Sequence, residues 1–205
     1  MKPSVALALA GMACGCAPVF SELQSAKLVG KGRVEVTPGF SSVLLAGDGD
    51  SEHLLDHAGV QLAAGVHDRV DLRVRYERVW VEDGAGINVL GFGPKIRLFE
   101  GWAAAYVPVG FAFGGDVDSG KTWQVHPTLL LTGQLHPSVE LNWSAKYLVT
   151  LHEEAGDDLL AFNVGFGLGP ADGRWTIRPE YGLAFDPGED GHFDQFSIGV
   201  SVRIR

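Results

Sequence analysis

Two groups of residues in this chain have the types and spacing for proton chemistry. Asp56 lies between His53 and His57, and His192 lies between Asp190 and Asp194. A carboxylate beside an imidazole can fix its tautomer and let it move a proton, as general acid–base catalysis requires. Neither group completes a full catalytic motif, so these are read as polar loop residues and no catalytic residue is assigned. A second group is acidic: Asp48, Asp50, Glu52, Glu82, Asp83, Asp116, Asp118, Glu153, Glu154, Asp157, Asp158, Glu189 and Asp190 cluster between apolar segments. Such oxygen clusters suit hard divalent cations. No spacing matches a defined calcium loop, so the expectation is a solvated acidic rim with weak affinity for Ca²⁺ or Mg²⁺, with no metal site and no cofactor. The spaced glycines from Gly84 to Gly93 are not followed by a strand–loop–helix pattern, which excludes nucleotide binding.

A third group is ionic and periodic. From Val70 to Trp80 apolar Val70, Leu72, Val74 and Tyr76 alternate with charged Asp71, Arg73, Arg75 and Glu77. A period of two places the two sets on opposite faces of a β-strand. The same alternation runs from Arg33 to the end of the chain, and its polar rows collect Arg33, Glu35, Asp71, Arg73, Arg75, Glu77, Lys95, Arg97, Lys146, Arg178, Glu180, Arg203 and Arg205. In a closed barrel these rows converge on one interior, where ions of both signs form a salt-bridged plug or the wall of a narrow pore. Basic residues outnumber acidic ones in the set, so a conducting lumen would prefer anions.

The elements that position these rows number ten by pattern. They begin near Arg33, Val60, Val70, Ile87, Trp102, Thr122, Leu141, Leu160, Trp175 and Phe196. Their connections alternate between short turns, such as His67 to Arg69 and His136 to Ser138, and acidic, glycine-rich loops. Strands of roughly 9–13 residues are long enough for a tilted crossing of a bilayer. The polar rows are crowded with Gly, Ser and Ala, which suits a packed interior better than a solvated face. Tyr76, Trp80, Trp102, Trp123, Tyr147, Trp175 and Tyr181 fall mostly near strand ends, as aromatic girdles do.

The chain carries a formal net charge of −9, which argues against nucleic acid as a partner. Its only cysteines are Cys14 and Cys16, so the body of the chain has no disulfide and no thiolate metal site. Residues 1–16 read as an export signal: Lys2 supplies the positive start and Val5 to Ala13 the apolar run. Small residues ahead of Cys14 and Cys16 resemble a bacterial lipoprotein signal, which implies lipidation of one of the two. Residues 17–31 form the connection to the barrel. There Ser21-Glu22-Leu23-Gln24 matches a capping box and predicts a short helix over 22–28, in the periplasm or against the barrel rim.

The pattern over residues 32–205 resembles the small bacterial outer-membrane β-barrel proteins. That resemblance implies an all-β fold, an antiparallel up-and-down transmembrane barrel of about ten strands in the outer membrane of a Gram-negative bacterium. It also implies contact with outer-membrane lipid and lipopolysaccharide, and insertion by the barrel assembly machinery. One departure is that the chain ends on Arg205 after Ile204, where such barrels usually end on an aromatic residue. The expected role is structural, or porin-like passage or binding of a small solute. Two alternatives stand beside it. The rim His/Asp pairs resemble the layout of outer-membrane hydrolases without their full motifs. Alternation alone also fits a soluble periplasmic ligand-binding barrel with its apolar rows turned inward.

Overall fold

The computed structural model describes residues 19–47, 50–81, 86–115, 117–152, 157–188 and 191–204. Cys14, Cys16 and the export signal lie outside them. So do Asp48, Glu82, Asp83, Asp116, Glu153, Glu154, Glu189, Asp190 and Arg205. The described chain forms β1 (Val34–Gly47), β2 (Asp50–His67), β3 (Val70–Val81), β4 (Ile87–Phe99), β5 (Ala103–Tyr106), β6 (Val109–Phe113), β7 (Gln124–Val125), β8 (Thr128–His136), β9 (Val139–Thr150), β10 (Leu159–Leu168), β11 (Trp175–Phe185) and β12 (His192–Ile204).

Each strand pairs antiparallel with its neighbours, β1 pairs with β12, and β9 pairs with β10. The sheet therefore closes on itself and leaves no free edge. Its twelve segments make ten staves, because β5 with β6 and β7 with β8 each form one interrupted stave. Prolines cause both interruptions, since Pro108 and Pro127 have no N–H for the ladder. The bonds from His126 N–H to the Pro108 carbonyl (2.9 Å) and from Tyr147 N–H to the Pro127 carbonyl (3.1 Å) carry the wall across the breaks. The fifth and sixth strands expected as continuous runs are thus each split.

The wall is inverted relative to a soluble protein. Phe162, Val164 and Phe166 are 44%, 36% and 43% exposed, whereas Asp71, Arg73 and Lys95 are 0%, 2% and 1% exposed. Apolar side chains form the outer skin and ions fill the interior, the arrangement that suits hydrocarbon outside. A soluble cup would show the reverse. Outside, Tyr76 donates to Asn88 Oδ1 (2.8 Å), Tyr147 to Asp158 Oδ2 (3.1 Å) and Tyr181 to Asp194, all towards the loop end of the barrel. At the turn end Phe99 stacks on Trp102 with ring centroids 4.8 Å apart. The ten residue steps from Val70 to Trp80, at ~3.3 Å each and ~40° tilt, span roughly 25 Å, the height of an apolar barrel band.

Two further expectations change. Gly47 to Glu52 has the composition of the acidic, glycine-rich loops expected between strands, yet its described residues, Gly47 and Asp50 to Glu52, are strand, with Gly47 opposite Asp50 in the register of β1 and β2. Residues 19–31 form neither a helix nor a linker outside the wall; they run extended through the lumen.

Candidate functional site in the barrel lumen

The lumen is occupied by the chain's own residues from Val19 to Val29, and the wall is cut to fit them. Gly32 N–H bonds to the Gly65 carbonyl (2.8 Å) and Gly65 N–H to the Arg33 carbonyl (2.9 Å), which fixes the entry at the turn end. Gly65 must be glycine here, because a Cβ on it would lie 1.9 Å from the Gly30 carbonyl oxygen. From that rim the segment climbs through three tiers.

In the tier nearest the turns, Asp71 accepts a hydrogen bond from Val29 N–H (2.8 Å). Lys95 donates to the carbonyls of Lys27 (2.8 Å) and Ser25 (3.1 Å) and lies 3.9 Å from Asp71. Glu140 collects Lys27 (3.0 Å) and Arg178 (2.8 Å), and Arg178 Nε also donates to Ser201 Oγ. Glu35 accepts from Arg203 Nε (3.1 Å) and faces Arg73 at 3.9 Å. Cross-strand register explains these pairings: Glu35 is opposite Arg203, and Asp71 is opposite Lys95.

The middle tier holds the segment by its main chain. Glu180 accepts from the N–H groups of Glu22 (2.7 Å) and Leu23 (2.9 Å). Gln61 donates to the Glu22 carbonyl (3.0 Å), and Thr132 Oγ1 accepts from Ala26 N–H (2.8 Å). Arg75 binds the Ser21 carbonyl, Ser21 Oγ (2.6 Å) and Glu77 (2.8 Å), and Glu77 also meets His57 Nδ1 (3.3 Å). Lys146 pairs with Glu22 Oε1 at 2.6 Å, with both side chains 3% exposed. These contacts defeat the capping box. The N–H groups of Glu22 and Leu23, two that a helix start would leave free, are taken by Glu180, and the Gln24 side chain, which would reach back to Ser21 N–H in that motif, donates to the Glu22 carboxylate instead. Leu23 is left at φ +49°, a left-handed conformation that costs a branched residue roughly 1–2 kcal/mol and persists only under such constraint.

The tier nearest the loops is apolar. Val19 and Phe20 pack with Val43, Leu55, Val79, Leu148, Ala161 and Ala184, while Asn163 Nδ2 (3.0 Å) and Lys146 Nζ (3.3 Å) donate to the Phe20 carbonyl. The small residues of the polar rows make the room. A Cβ on Gly182 would lie 2.8 Å from the Phe20 ring, and one on Gly39 would lie 2.6 Å from Leu23 Cδ1.

Of the charged residues expected inside, Glu35, Asp71, Arg73, Glu77, Lys95, Lys146, Arg178 and Glu180 are buried there and Arg75 is nearly so. Arg97 and Arg203 are half-buried near the turn-side mouth, where Arg97 meets the exposed Glu100 at 3.7 Å. Arg33 is a correction: it is exposed at the rim and stands outside the network, because the chain bends into the lumen just before it. Gln61, Asn163 and Gln195 are buried on the polar rows that the alternation assigns to the interior, whereas sequence reasoning missed Ser21, Glu22, Gln24 and Glu140 as lumen residues. Glu140 carried a usable signal, since it shares the parity of Asn142 and Lys146 on β9.

The proposed proton chemistry finds no shared site. His53 Nε2 and Asp56 Oδ1 are 3.1 Å apart with partly exposed side chains, but His57 is buried on the other face of the wall against Glu77. His192 and Asp194 are 3.5 Å apart and partly exposed, and Asp194 is engaged by Tyr181. Asp118 accepts from Gly120 N–H in a 3₁₀ turn over Ser119–Lys121, and Asp158 accepts from Thr150 N–H and Tyr147. Among the described residues no group of three or more His, Cys, Asp or Glu comes together as a metal site. A cavity of about 50 Å³ remains beside the segment, lined by Arg75, Tyr106, Thr122, Gln124, His126 and Lys146. It is several-fold smaller than the roughly 300–1,000 Å³ of a small-molecule site.

No protein-family model matches the sequence, and no curated protein sequence matches it. Solved structures do. Ail, the attachment invasion locus protein of Yersinia pestis, is 14% identical with a TM-score of 0.40, covering 85% of this chain and 99% of that one. The N-terminal β-barrel domain of Pseudomonas aeruginosa OprF is 11% identical with a TM-score of 0.37, covering 85% and 99%. The KdgM porin is 8% identical with a TM-score of 0.45, covering 84% and 99%. At these values the likeness is to barrels as an architecture and extends to no activity.

Proposed function

We propose that this protein is an outer-membrane β-barrel of a Gram-negative bacterium with a structural, closed-lumen role. The observation that carries this reading is the seating of residues 19–29 inside the inverted wall, with main-chain groups bound by Glu180, Gln61, Thr132, Asp71 and Lys95. A filled lumen stiffens the barrel and removes the aqueous path that a porin needs. The outer skin fits acyl chains and the acidic loops fit the cation-bridged headgroups of lipopolysaccharide. Insertion by the barrel assembly machinery and export on a lipoprotein-like signal, with Cys14 or Cys16 acylated, belong to the same reading.

A second reading keeps the narrow channel. The segment is held by side chains rather than by the ladder, apart from the bridge of Lys31 and Gly65, so it can leave without breaking the wall. Planar-bilayer recording of the whole protein tests both. The closed reading expects no steady conductance. A large, stable conductance from the unaltered chain overturns it, and brief anion-preferring openings would support the gated channel.

A further inference from the structure

The luminal segment has a direction. It enters at the turn end through Gly32 and Gly65, and Val19 ends among Val43, Leu55, Val79 and Leu148, next to Leu54, Ile87, Leu159 and Phe193 at the loop end. Ile204, the last described residue, is opposite Val34 at the turn end. From this geometry we propose that the barrel carries its own N-terminal chain across the membrane, so that the residues preceding Val19 leave the lumen at the loop mouth, on the cell surface. This rests on the membrane reading above, with the loops outside.

Reach excludes the alternative while the segment is seated. From Leu55, beside Val19, to His67 at the turn end is twelve residue steps of β2, about 40 Å of strand and roughly 30 Å along the barrel axis after tilt. Cys16 is three residues from Val19, and three residues span at most ~11 Å. Neither Cys16 nor Cys14 can then lie at the inner leaflet unless the whole segment withdraws. The cavity of about 50 Å³ beside the segment is too small for a second stretch of chain to return through it. An acyl group on either cysteine is therefore displayed on the loop face. The anchor and the seated segment are compatible only if the anchor is on the outside.

The wall helps by reading the main chain. Glu180, Gln61, Asn163, Thr132, Asp71 and Lys95 bind peptide N–H and carbonyl groups, as a channel for an extended polypeptide would. Side-chain recognition comes from the seats for Phe20 and Leu23, from Arg75 on Ser21 Oγ, and from the pairs of Glu22 with Lys146 and Lys27 with Glu140.

The test places one ten-residue epitope between Pro18 and Val19, and control epitopes after Asp118 in a loop and after Asp172 in a turn, each in an otherwise whole chain. Antibody binding is read on intact and permeabilised cells. The expected result is binding of the N-terminal and loop epitopes on intact cells, with the turn epitope reached only after permeabilisation. An N-terminal epitope reached only after permeabilisation, with the controls as expected, overturns the inference and leaves the membrane reading standing. Controls that behave alike, or in the opposite order, overturn the membrane reading itself. A second variant, Leu23→Cys with Gly39→Cys, locks the segment by a disulfide. With that bond formed, an N-terminal epitope absent from the intact surface overturns the inference whatever the unlocked chain does.

Discussion

Replacing Lys146 by Met tests whether the luminal segment is held as the contacts indicate. Lys146 Nζ lies 2.6 Å from Glu22 Oε1 in a site where both side chains are 3% exposed. At an effective dielectric of ~20 the direct attraction is roughly 6 kcal/mol, most of it offset by the cost of desolvating both ions. Removing one partner of such a pair leaves the other charge buried, and typically costs about 3–5 kcal/mol. The cross-strand ladder of β9 with β8 and β10 does not involve the ammonium group, so the cost falls on seating the segment rather than on closing the wall. At ~1.36 kcal/mol per tenfold, the released fraction should rise by about 10² to 10⁴. The assay is the rate at which a thiol reagent modifies Leu23→Cys in detergent-solubilised protein, because Leu23 is buried beside Gly39 and Gly199 until the segment leaves. The double change Lys146→Met with Glu22→Gln should recover much of the protection, since no buried charge is then left alone. A Lys146→Met rate within threefold of the parent, with the heat-modifiable gel mobility of a folded barrel retained, would show that this pair does not hold the segment.

Three other outcomes are expected. Gly182→Leu drives a side chain into the space of the Phe20 ring, and should unseat the loop-side end of the segment, measured as faster modification of Val19→Cys. Val164→Arg puts a charge on the outer skin and should destabilise the barrel by about 2–4 kcal/mol in a lipid-vesicle unfolding titration; a change below 1 kcal/mol would count against lipid at that face. Deleting residues 20–30 should open an anion-preferring path. The wall then presents Arg73, Arg75, Lys95, Arg97, Lys146, Arg178 and Arg203 against Glu35, Asp71, Glu77, Glu140 and Glu180, and bilayer recording with cation preference would contradict that assignment.

The alternation of Val70, Leu72, Val74 and Tyr76 with Asp71, Arg73, Arg75 and Glu77 is a local property, and it determines which side chains share a face before any partner strand is present. The abundance of small residues on the charged rows is just as local, and it already marked those rows as a crowded interior. Which ion meets which was only partly legible. Lys95 and Asp71 follow from register once β3 and β4 pair, whereas Arg178 with Glu140 joins two strands that do not pair with each other.

The N-terminal segment was not legible at all. Ser21-Glu22-Leu23-Gln24 has the local preference of a helix start, and its competitors are Gln61, Lys146 and Glu180, between 39 and 158 residues away. Sequence alone therefore determined a two-faced strand repeated around a closed wall. Only the tertiary structure decided what fills it, because the bonds that straighten residues 19–29 come from groups the chain brings together only on closing.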